Sequence, residues 1–218
     1  MISAHVAHPG TQYSYHLAEE LQERSRLAAF HTGIAIRTGS VLHRTTGLMP
    51  EWIRHRLANR RLNNIPAHKL HLYPSAEMVS LIQHKYAANS VEGILHRRNA
   101  RFQSAIPQHI IEIAEAMIGF DTSSWILAER CAKAGVPFIL DQSIGHPDSK
   151  ARVYEKIREQ FPNWSSSVEP RLPELREAEQ IEHDKAALVV AASSFTVRTL
   201  IDAGVDREKI RLNPYGVD

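Results

Sequence analysis

The sequence has 218 residues, of which 43% are hydrophobic and 23% charged, with a formal net charge of +2. A chain of this length can bury one large core, so we expect a single soluble globular domain. Its one cysteine, Cys131, excludes an internal disulfide and favours a reducing compartment, and we interpret it as a buried helix residue rather than a reactive thiol. The sequence has no signal peptide and no apolar run near the roughly 20 residues of a membrane span, which predicts a cytoplasmic protein.

Seven short apolar runs predict β-strands, at residues 2–7, 27–32, 69–73, 117–120, 137–141, 187–192 and 209–213. Helical patterns separate the strands, at residues 12–24, 76–86, 92–116, 123–134 and 193–204. Further helical patterns within 148–185 predict an excursion on the rim of the sheet. Strands joined by helices need parallel crossovers, so the pattern predicts an α/β fold with a doubly wound parallel sheet of about seven strands and helices on both faces.

In such a sheet, ligands bind beyond the carboxyl ends of the strands, so the turns after the strands hold the candidate site residues. Gly10, Thr11 and Gln12 follow the first strand and open the predicted helix, where free backbone N–H groups would face a phosphate. An equally weighted alternative makes Thr11 only a helix cap. Asp121 follows the fourth strand in the turn 120–124 and is a further candidate for substrate binding.

The turn after the fifth strand combines four polar residues, Asp141, Gln142, Ser143 and His146. An imidazole and a carboxylate in one turn can contact a polar ligand. The alternative is a turn-forming His-Pro pair with Asp141 as a local hydrogen-bond acceptor. Ser193 starts the last predicted helix, and we expect it chiefly to cap that helix, with ligand contact as the second interpretation.

The first half of the chain carries an excess of positive charge. Residues 1–110 hold 13 Lys and Arg against 6 Asp and Glu, whereas residues 111–218 hold 13 against 18. Pro50 predicts the start of a basic amphipathic helix at 50–62, a type of helix that lies on anionic membrane surfaces. The candidate residues for contact with a membrane or an anionic acceptor are Trp52, Arg54, Arg56, Arg60 and Arg61. A solvated surface helix is the main alternative, and no nucleic-acid partner is expected because no nucleic-acid motif accompanies the charge.

Thirteen histidines suggest a metal site, but their spacing argues against one. His5 and His8 are three residues apart in a strand and should point to opposite faces, and there is no H-E-x-x-H motif. We therefore expect no metal ligands. Neither G-x-G-x-x-G after the first strand nor G-x-x-x-x-G-K-[ST] occurs, which argues against nicotinamide chemistry and P-loop hydrolysis.

Three segments resemble the N-terminal domain of family 4 (group 1) glycosyltransferases: SSFTVRTLIDAGVDREKIRLNPYGVD at 193–218, HPGTQYSYHLAEEL at 8–21 and AGVPFILDQSIGHP at 134–147. The sequence departs from the family at Ala187, where members usually have an aspartate. The resemblance implies a Rossmann-like domain that is one half of a GT-B fold. Residues 1–218 would form the acceptor-side domain, and the C-terminal donor-binding domain would be absent from this chain.

The same resemblance implies a retaining transfer of a sugar from a nucleotide-sugar donor to a glycan, lipid-linked or small-molecule acceptor, without a cofactor or essential metal. It implies catalytic roles for Asp141 and His146. Substrate or phosphate binding would fall to Gly10, Thr11, Gln12, Asp121, Gln142, Ser143 and Ser193. Separately from the resemblance, the lack of a signal peptide predicts a cytoplasmic protein, and one interpretation of the basic segment 50–62 adds peripheral contact with the inner face of the membrane. The alternative from another class is a non-catalytic module that binds a glycan or a partner, or the acceptor subunit of a split glycosyltransferase.

Overall fold

All seven predicted strands are present in the structure, a computed structural model that describes residues 2–11, 13–36, 60–62, 64–86, 91–163 and 172–214. The strands are β1 Ala4–His8, β2 Leu27–Thr32, β3 Leu70–Leu72, β4 Met117–Phe120, β5 Phe138–Gln142, β6 Leu188–Ala191 and β7 Ile210–Leu212. Their ends differ from the predictions by two residues at most, because the local pattern defines a strand better than its terminal hydrogen bonds. The apolar runs therefore predicted the sheet correctly.

The helices of the described residues are α1 Ser14–Glu23, α2 Pro74–Tyr86, α3 Val91–Ala105, α4 Gln108–Glu112, α5 Trp125–Ala134, α6 Pro147–Gln160, α7 Pro173–Lys185 and α8 Ser194–Asp202. The prediction of one helix over 92–116 was wrong. Pro107 divides it, with φ −62° and ψ 143° in the extended region, because proline lacks the N–H that a helix interior needs.

Only part of the segment 148–185 is an excursion on the rim. Helix α6 is largely exposed, as predicted. Helix α7 instead packs against α5 and β5, with Leu175 and Ala178 buried. The rim prediction was therefore wrong for α7, because the many charged residues of this helix make its narrow apolar face difficult to recognise in the sequence.

The sheet is parallel throughout, with strand order β3-β2-β1-β4-β5-β6-β7. The chain reverses its direction of winding between β1 and β4, which lie side by side. In open α/β sheets the crevice outside the carboxyl ends of the strands at this switch point is the usual ligand site. The fold thus directs attention to the residues that follow β1 and β4.

A core cluster lies on each face of the sheet. One contains Val6, Tyr15, Phe30 and Phe120 and is covered by α1. The other is built around Phe102, Met117, Leu127, Phe138 and Leu200, beneath α3, α5 and α8. Cys131 lies in this second cluster, where burial raises the pKa of its thiol to about 12, so the interpretation as a buried helix residue is confirmed.

A stack of histidines crosses the three strands at one end of the sheet. His31 lies between His5 and His71, with ring centroids 5.3 Å and 4.8 Å away. Its Nε2 is 3.0 Å from His5 Nδ1 and its Nδ1 is 3.2 Å from the Tyr73 hydroxyl. His8 packs instead against Phe120, in the cluster on the other face. The spacing argument that put His5 and His8 on opposite faces is confirmed.

The predicted basic helix at 50–62 lies mostly outside the described residues, as do its candidates Trp52, Arg54 and Arg56. Its last residues are not helical, because Arg61 pairs with Ile36 in an isolated parallel bridge and Leu62 is buried. Arg60 was expected on an exposed basic face, but its guanidinium binds Glu77 in the protein and its side chain is only 13% exposed. That expectation is corrected for Arg60, whereas Arg61 is exposed and remains a candidate.

Gly119 in β4 leaves no room for a side chain. A Cβ atom there would lie 2.6 Å from Ser124 Cβ and 2.8 Å from Phe138 Cε2. Ser124 Oγ also bonds Phe120 N and O, at 2.8 Å and 2.9 Å. We expect Gly119→Ala to lower the free energy of unfolding by about 1–3 kcal/mol in urea denaturation, because the methyl group displaces Ser124. Gly135→Ala is the contrasting variant: its Cβ meets nothing within 4 Å, and only its φ of +70° penalises alanine. Equal stability of Gly119→Ala and wild type would contradict the prediction.

Candidate functional site

The carboxylate of Asp121 joins the ends of two neighbouring strands. It follows β4 and accepts hydrogen bonds from the backbone N–H groups of Ser143 and Ile144, at 3.0 Å and 3.1 Å, and from Ser143 Oγ at 2.8 Å. Strands β4 and β5 are hydrogen-bonded neighbours, so their carboxyl ends meet at one edge. The structure therefore brings together three residues that the sequence analysis named separately, Asp121, Gln142 and Ser143, and Asp121 is 95% buried and holds the turn in shape.

Gln142 and His183 form a buried polar pair beside this turn. Gln142 Nε2 donates to the Ile144 carbonyl at 2.9 Å, and its Oε1 lies 3.0 Å from His183 Nε2. The His183 ring stacks on His146 with centroids 4.9 Å apart. Burial, and secondarily His146, lowers the pKa of His183 to about 4, so its imidazole is neutral at pH 7. Gln142 thus orients the His183 imidazole, against which His146 stacks, rather than presenting a free amide to solvent.

His146 is held at the start of α6. Its Nδ1 accepts a hydrogen bond from Asp148 N at 3.2 Å, and its backbone N–H donates to Thr199 Oγ1 at 2.9 Å. The ring borders a cleft of about 380 Å³ between the N-terminal ends of α6 and α7, where Asp148 bonds Arg176 at 2.5 Å. His146 therefore caps a helix and also borders a cleft.

The environment of Asp141 raises the pKa of its carboxyl group toward neutral pH. It is half-buried in β5, where side chains alternate between faces, so it points away from its neighbour Gln142. Burial, and then the charge of Asp121, raises the pKa of Asp141 to about 7. A carboxyl group with this pKa exchanges a proton near neutral pH, which suits general acid or base chemistry. Its backbone carbonyl accepts a hydrogen bond from Asp121 N at 3.1 Å, and within the described ranges its carboxylate accepts none, so the side chain does not act there as a local turn acceptor.

The turn after β1 differs from its prediction. Helix α1 begins at Ser14, and its N-cap is Tyr13 rather than Thr11. The Thr11 carbonyl accepts a hydrogen bond from Ser14 Oγ at 2.7 Å. Gly10 is buried against His8, whose Nδ1 is 3.0 Å from Gly10 N and 2.9 Å from Gly10 O. The open N–H donors expected at Gly10 are thus covered by His8, and Gln12 lies outside the described residues.

The turn after β4 has a strained residue that the sequence did not indicate. Thr122 has φ +66°, a conformation that costs a non-glycine residue free energy. Its N–H donates to Glu182 at 2.9 Å, and its carbonyl accepts from Asn99 Nδ2 at 3.0 Å. Glu182 also accepts from Ser124 N at 2.6 Å. These buried partners hold the turn at the switch point in one conformation.

Several residues of this edge were missed by the sequence analysis, namely His8, Glu77, Arg98, Glu182 and His183. Arg98 contributed to the sequence analysis only through the excess of positive charge in residues 1–110, and the two residues from α7 belong to a helix whose pattern is mostly polar. A glutamate in such a helix carries no local sign that it is buried. The expected cap at Ser193 is confirmed, because its Oγ accepts from Thr196 N at 3.1 Å.

Two further observations concern the described residues alone. Among them, no group of three or more His, Cys, Asp or Glu side chains is arranged to hold a metal ion. Within the same ranges, no helix has the length and apolar character needed to cross a membrane.

No protein-family model matches the sequence, and no curated protein is significantly similar to it. Solved structures do match. The chain aligns over its full length with 54% of UGT2 from Phytolacca americana, solved with UDP-2fluoro-glucose and pterostilbene, at 12% identity and a TM-score of 0.50. It aligns equally with 53% of a Polygonum tinctorium UDP-glucosyltransferase capable of glucosylating indoxyl, at 11% identity and a TM-score of 0.50.

The chain thus spans about half the length of the solved structures it matches. At these identities the similarity concerns the fold, and it does not single out family 4 among glycosyltransferases. The seven-stranded parallel sheet with helices on both faces, matched over the whole chain, places this protein structurally: it has the fold of one half of a GT-B glycosyltransferase.

Proposed function

We propose that this chain is the acceptor-side half of a glycosyltransferase that moves a sugar from a nucleotide-sugar donor to an acceptor. The observation that carries the proposal is the match of the whole chain to half of two UDP-sugar enzymes, together with polar residues clustered at the carboxyl edge of its sheet. In a GT-B arrangement the second domain faces this edge across a cleft. That domain would bind the nucleotide and would lie outside these 218 residues.

The finer assignment rests on the resemblance of residues 193–218, 8–21 and 134–147 to family 4. From it we infer retention of the anomeric configuration and no essential metal or cofactor. Contact with an anionic membrane surface remains part of the proposal through Arg61 and the undescribed Trp52, Arg54 and Arg56.

In the proposed reaction the bond between the sugar and the diphosphate breaks through an oxocarbenium-like transition state, so negative charge develops on the leaving group. Asp141 is our candidate for proton transfer at the acceptor side, because its pKa is raised to about 7 by burial and by Asp121. His146 is the second candidate, since it borders the cleft between α6 and α7. Asp121, Gln142 and Ser143 would hold the turn that carries His146.

The test measures release of nucleoside diphosphate by the complete protein that contains this chain, supplied with UDP-, GDP- or ADP-glucose and candidate acceptors. We expect release that depends on the acceptor. Asp141→Asn should lower the rate by about 100-fold, in the range of general acid–base catalysis, and should remove the limb of the pH–rate profile near pH 7. Asp202→Asn, an exposed carboxylate on α8, is the matched control and should leave the rate unchanged.

Each negative result has a defined meaning. An unchanged pH profile in a folded Asp141→Asn variant would remove Asp141 from the reaction. Turnover by residues 1–218 alone would contradict the division into a donor half and an acceptor half. Absence of turnover by the complete protein with every donor would reject glycosyl transfer and favour the non-catalytic binding module.

A further inference from the structure

Two guanidinium groups and one carboxylate meet near the switch point of the sheet. Arg60 binds both oxygens of Glu77 through its two terminal nitrogens, and its Nη1 also lies 3.3 Å from the Ile34 carbonyl. The Arg60 and Glu77 side chains are 13% and 8% exposed. This bidentate pair satisfies the Arg60 guanidinium. Within the described ranges no ion pair joins Glu77 to Arg98 on α3, the other cation of the group, and Glu77 acts on Arg98 through its charge.

Arg98 is fixed in place by neutral groups. Its Nε and Nη2 donate to Asn99 Oδ1, at 3.1 Å and 2.8 Å. Asn99 is buried and donates in turn to the Thr122 carbonyl, at the end of β4. Within the described residues, Arg98 Nη1 has no protein partner and Arg98 has no ion pair. The arginine is thus half-buried, oriented relative to the strained Thr122, and left with an unused donor.

The charges around Arg98 do not cancel. Burial lowers the pKa of Arg98, while Glu77 raises it and Arg60 lowers it further. Both arginines also act on His8 at the end of β1: its pKa is lowered to about 4, chiefly by burial, with Arg98 and Arg60 as added causes. At neutral pH His8 is therefore uncharged. The end of β1 thus faces two cations and one carboxylate, so these described residues together carry one net positive charge.

We propose that Arg98, with Arg60 beside it, binds the oxyanion of an acceptor, a phosphate or a carboxylate, in the crevice beyond β1 and β4. This inference rests on the proposed function and narrows its acceptor to an anionic one. A planar guanidinium matches either oxyanion, and a half-buried guanidinium gains more from such a partner than one in bulk water. The crevice at this switch point is also where a parallel sheet of this order binds ligands.

The donor's diphosphate is the other anion of the proposed reaction. We assign the site to the acceptor because the donor-binding half is proposed to lie outside these residues. Glucose 1-phosphate, glucuronate, glucose and UDP are therefore the probes, each titrated into the protein by calorimetry without a co-substrate. Wild type should bind glucose 1-phosphate or glucuronate, more tightly than glucose. The preferred probe of the two then identifies the oxyanion as phosphate or carboxylate.

Arg98→Gln should weaken binding of the preferred probe about tenfold or more, the effect expected from losing one charge-assisted contact. Arg101→Gln removes the same charge from an exposed position of the same helix and should leave binding unchanged. Arg98→Lys keeps the charge but lacks the two-armed guanidinium, so its affinity for the probe should lie between those of wild type and Arg98→Gln. If Arg98→Gln does not fold, Arg98→Lys is the deciding variant. Binding of the preferred probe by Arg98→Lys that equals binding by wild type would then overturn the proposal.

Three other results would also overturn it. They are equal weakening by Arg98→Gln and Arg101→Gln, no binding of either anionic sugar, and binding of UDP alone, which would assign the arginines to the donor. The titration needs neither turnover nor donor. Oxyanion binding without any sugar transfer would therefore reject the proposed function while keeping this site, and transfer with Arg98-independent binding would reject only the site.

Discussion

Glu182→Ala should lower the free energy of unfolding by about 3 kcal/mol, because it leaves two backbone donors, one buried and one partly buried, without an acceptor. Glu182 is fully buried on α7, and its carboxylate accepts from Thr122 N at 2.9 Å and from Ser124 N at 2.6 Å. Burial raises the pKa of Glu182 well above its usual range, while the two backbone hydrogen bonds lower it. Glu182 thus connects α7 to the turn after β4.

The measurement is urea denaturation at pH 7, with Glu177→Ala as the matched control. Glu177 lies on the same helix and is exposed, so its replacement should change stability by less than about 0.5 kcal/mol. Glu182→Gln retains one carbonyl oxygen but turns an N–H₂ group toward the second donor, so we expect a loss between those of the two alanine variants. Equal stability of Glu182→Ala and Glu177→Ala would show that the turn does not depend on this carboxylate.

Acid should destabilise the protein through its buried histidines, and His31 should contribute most. Burial, followed by His5 and His71, lowers the pKa of His31 to about 3. In the unfolded chain a histidine titrates near pH 6.5. Below that pH the unfolded state takes up a proton that folded His31 does not. The contribution of His31 is therefore complete above pH 6.5 and falls by about 1.4 kcal/mol per pH unit as the pH drops toward 4.

The test compares the pH dependence of unfolding in wild type and in His31→Gln between pH 6 and pH 4. Glutamine keeps hydrogen-bonding groups near His5 and Tyr73 but does not titrate, so the slope should decrease by about 1.4 kcal/mol per pH unit. His109→Gln removes an exposed histidine and should leave the slope as it is. Asp141 and Glu182, whose pKa values are raised, act in the opposite direction and are present in all three proteins. Identical slopes in wild type and His31→Gln would contradict the expectation.

The strands and several helix ends of this protein were determined by the local sequence. Each strand is a short apolar run. The helix cap at Ser193 and the glycine that follows the same helix at Gly204 are likewise set by a few neighbouring residues. Strands that alternate with helices are joined by crossover connections, which favour a parallel sheet. Even the opposite orientations of His5 and His8 follow from the two-residue repeat of a strand. All seven strands were therefore predicted from the sequence alone.

The candidate site was determined by contacts between distant parts of the chain. Asp121 and Ser143, which the sequence proposed separately, meet because β4 and β5 are neighbours. Glu182 reaches Thr122 across 60 positions, and Arg60, which precedes β3, meets Glu77 on α2, which follows β3. The sequence pattern around a charged residue is the same whether it faces solvent or a distant turn. Only the tertiary structure, which sets strand order and register, decides which of these charges become buried partners.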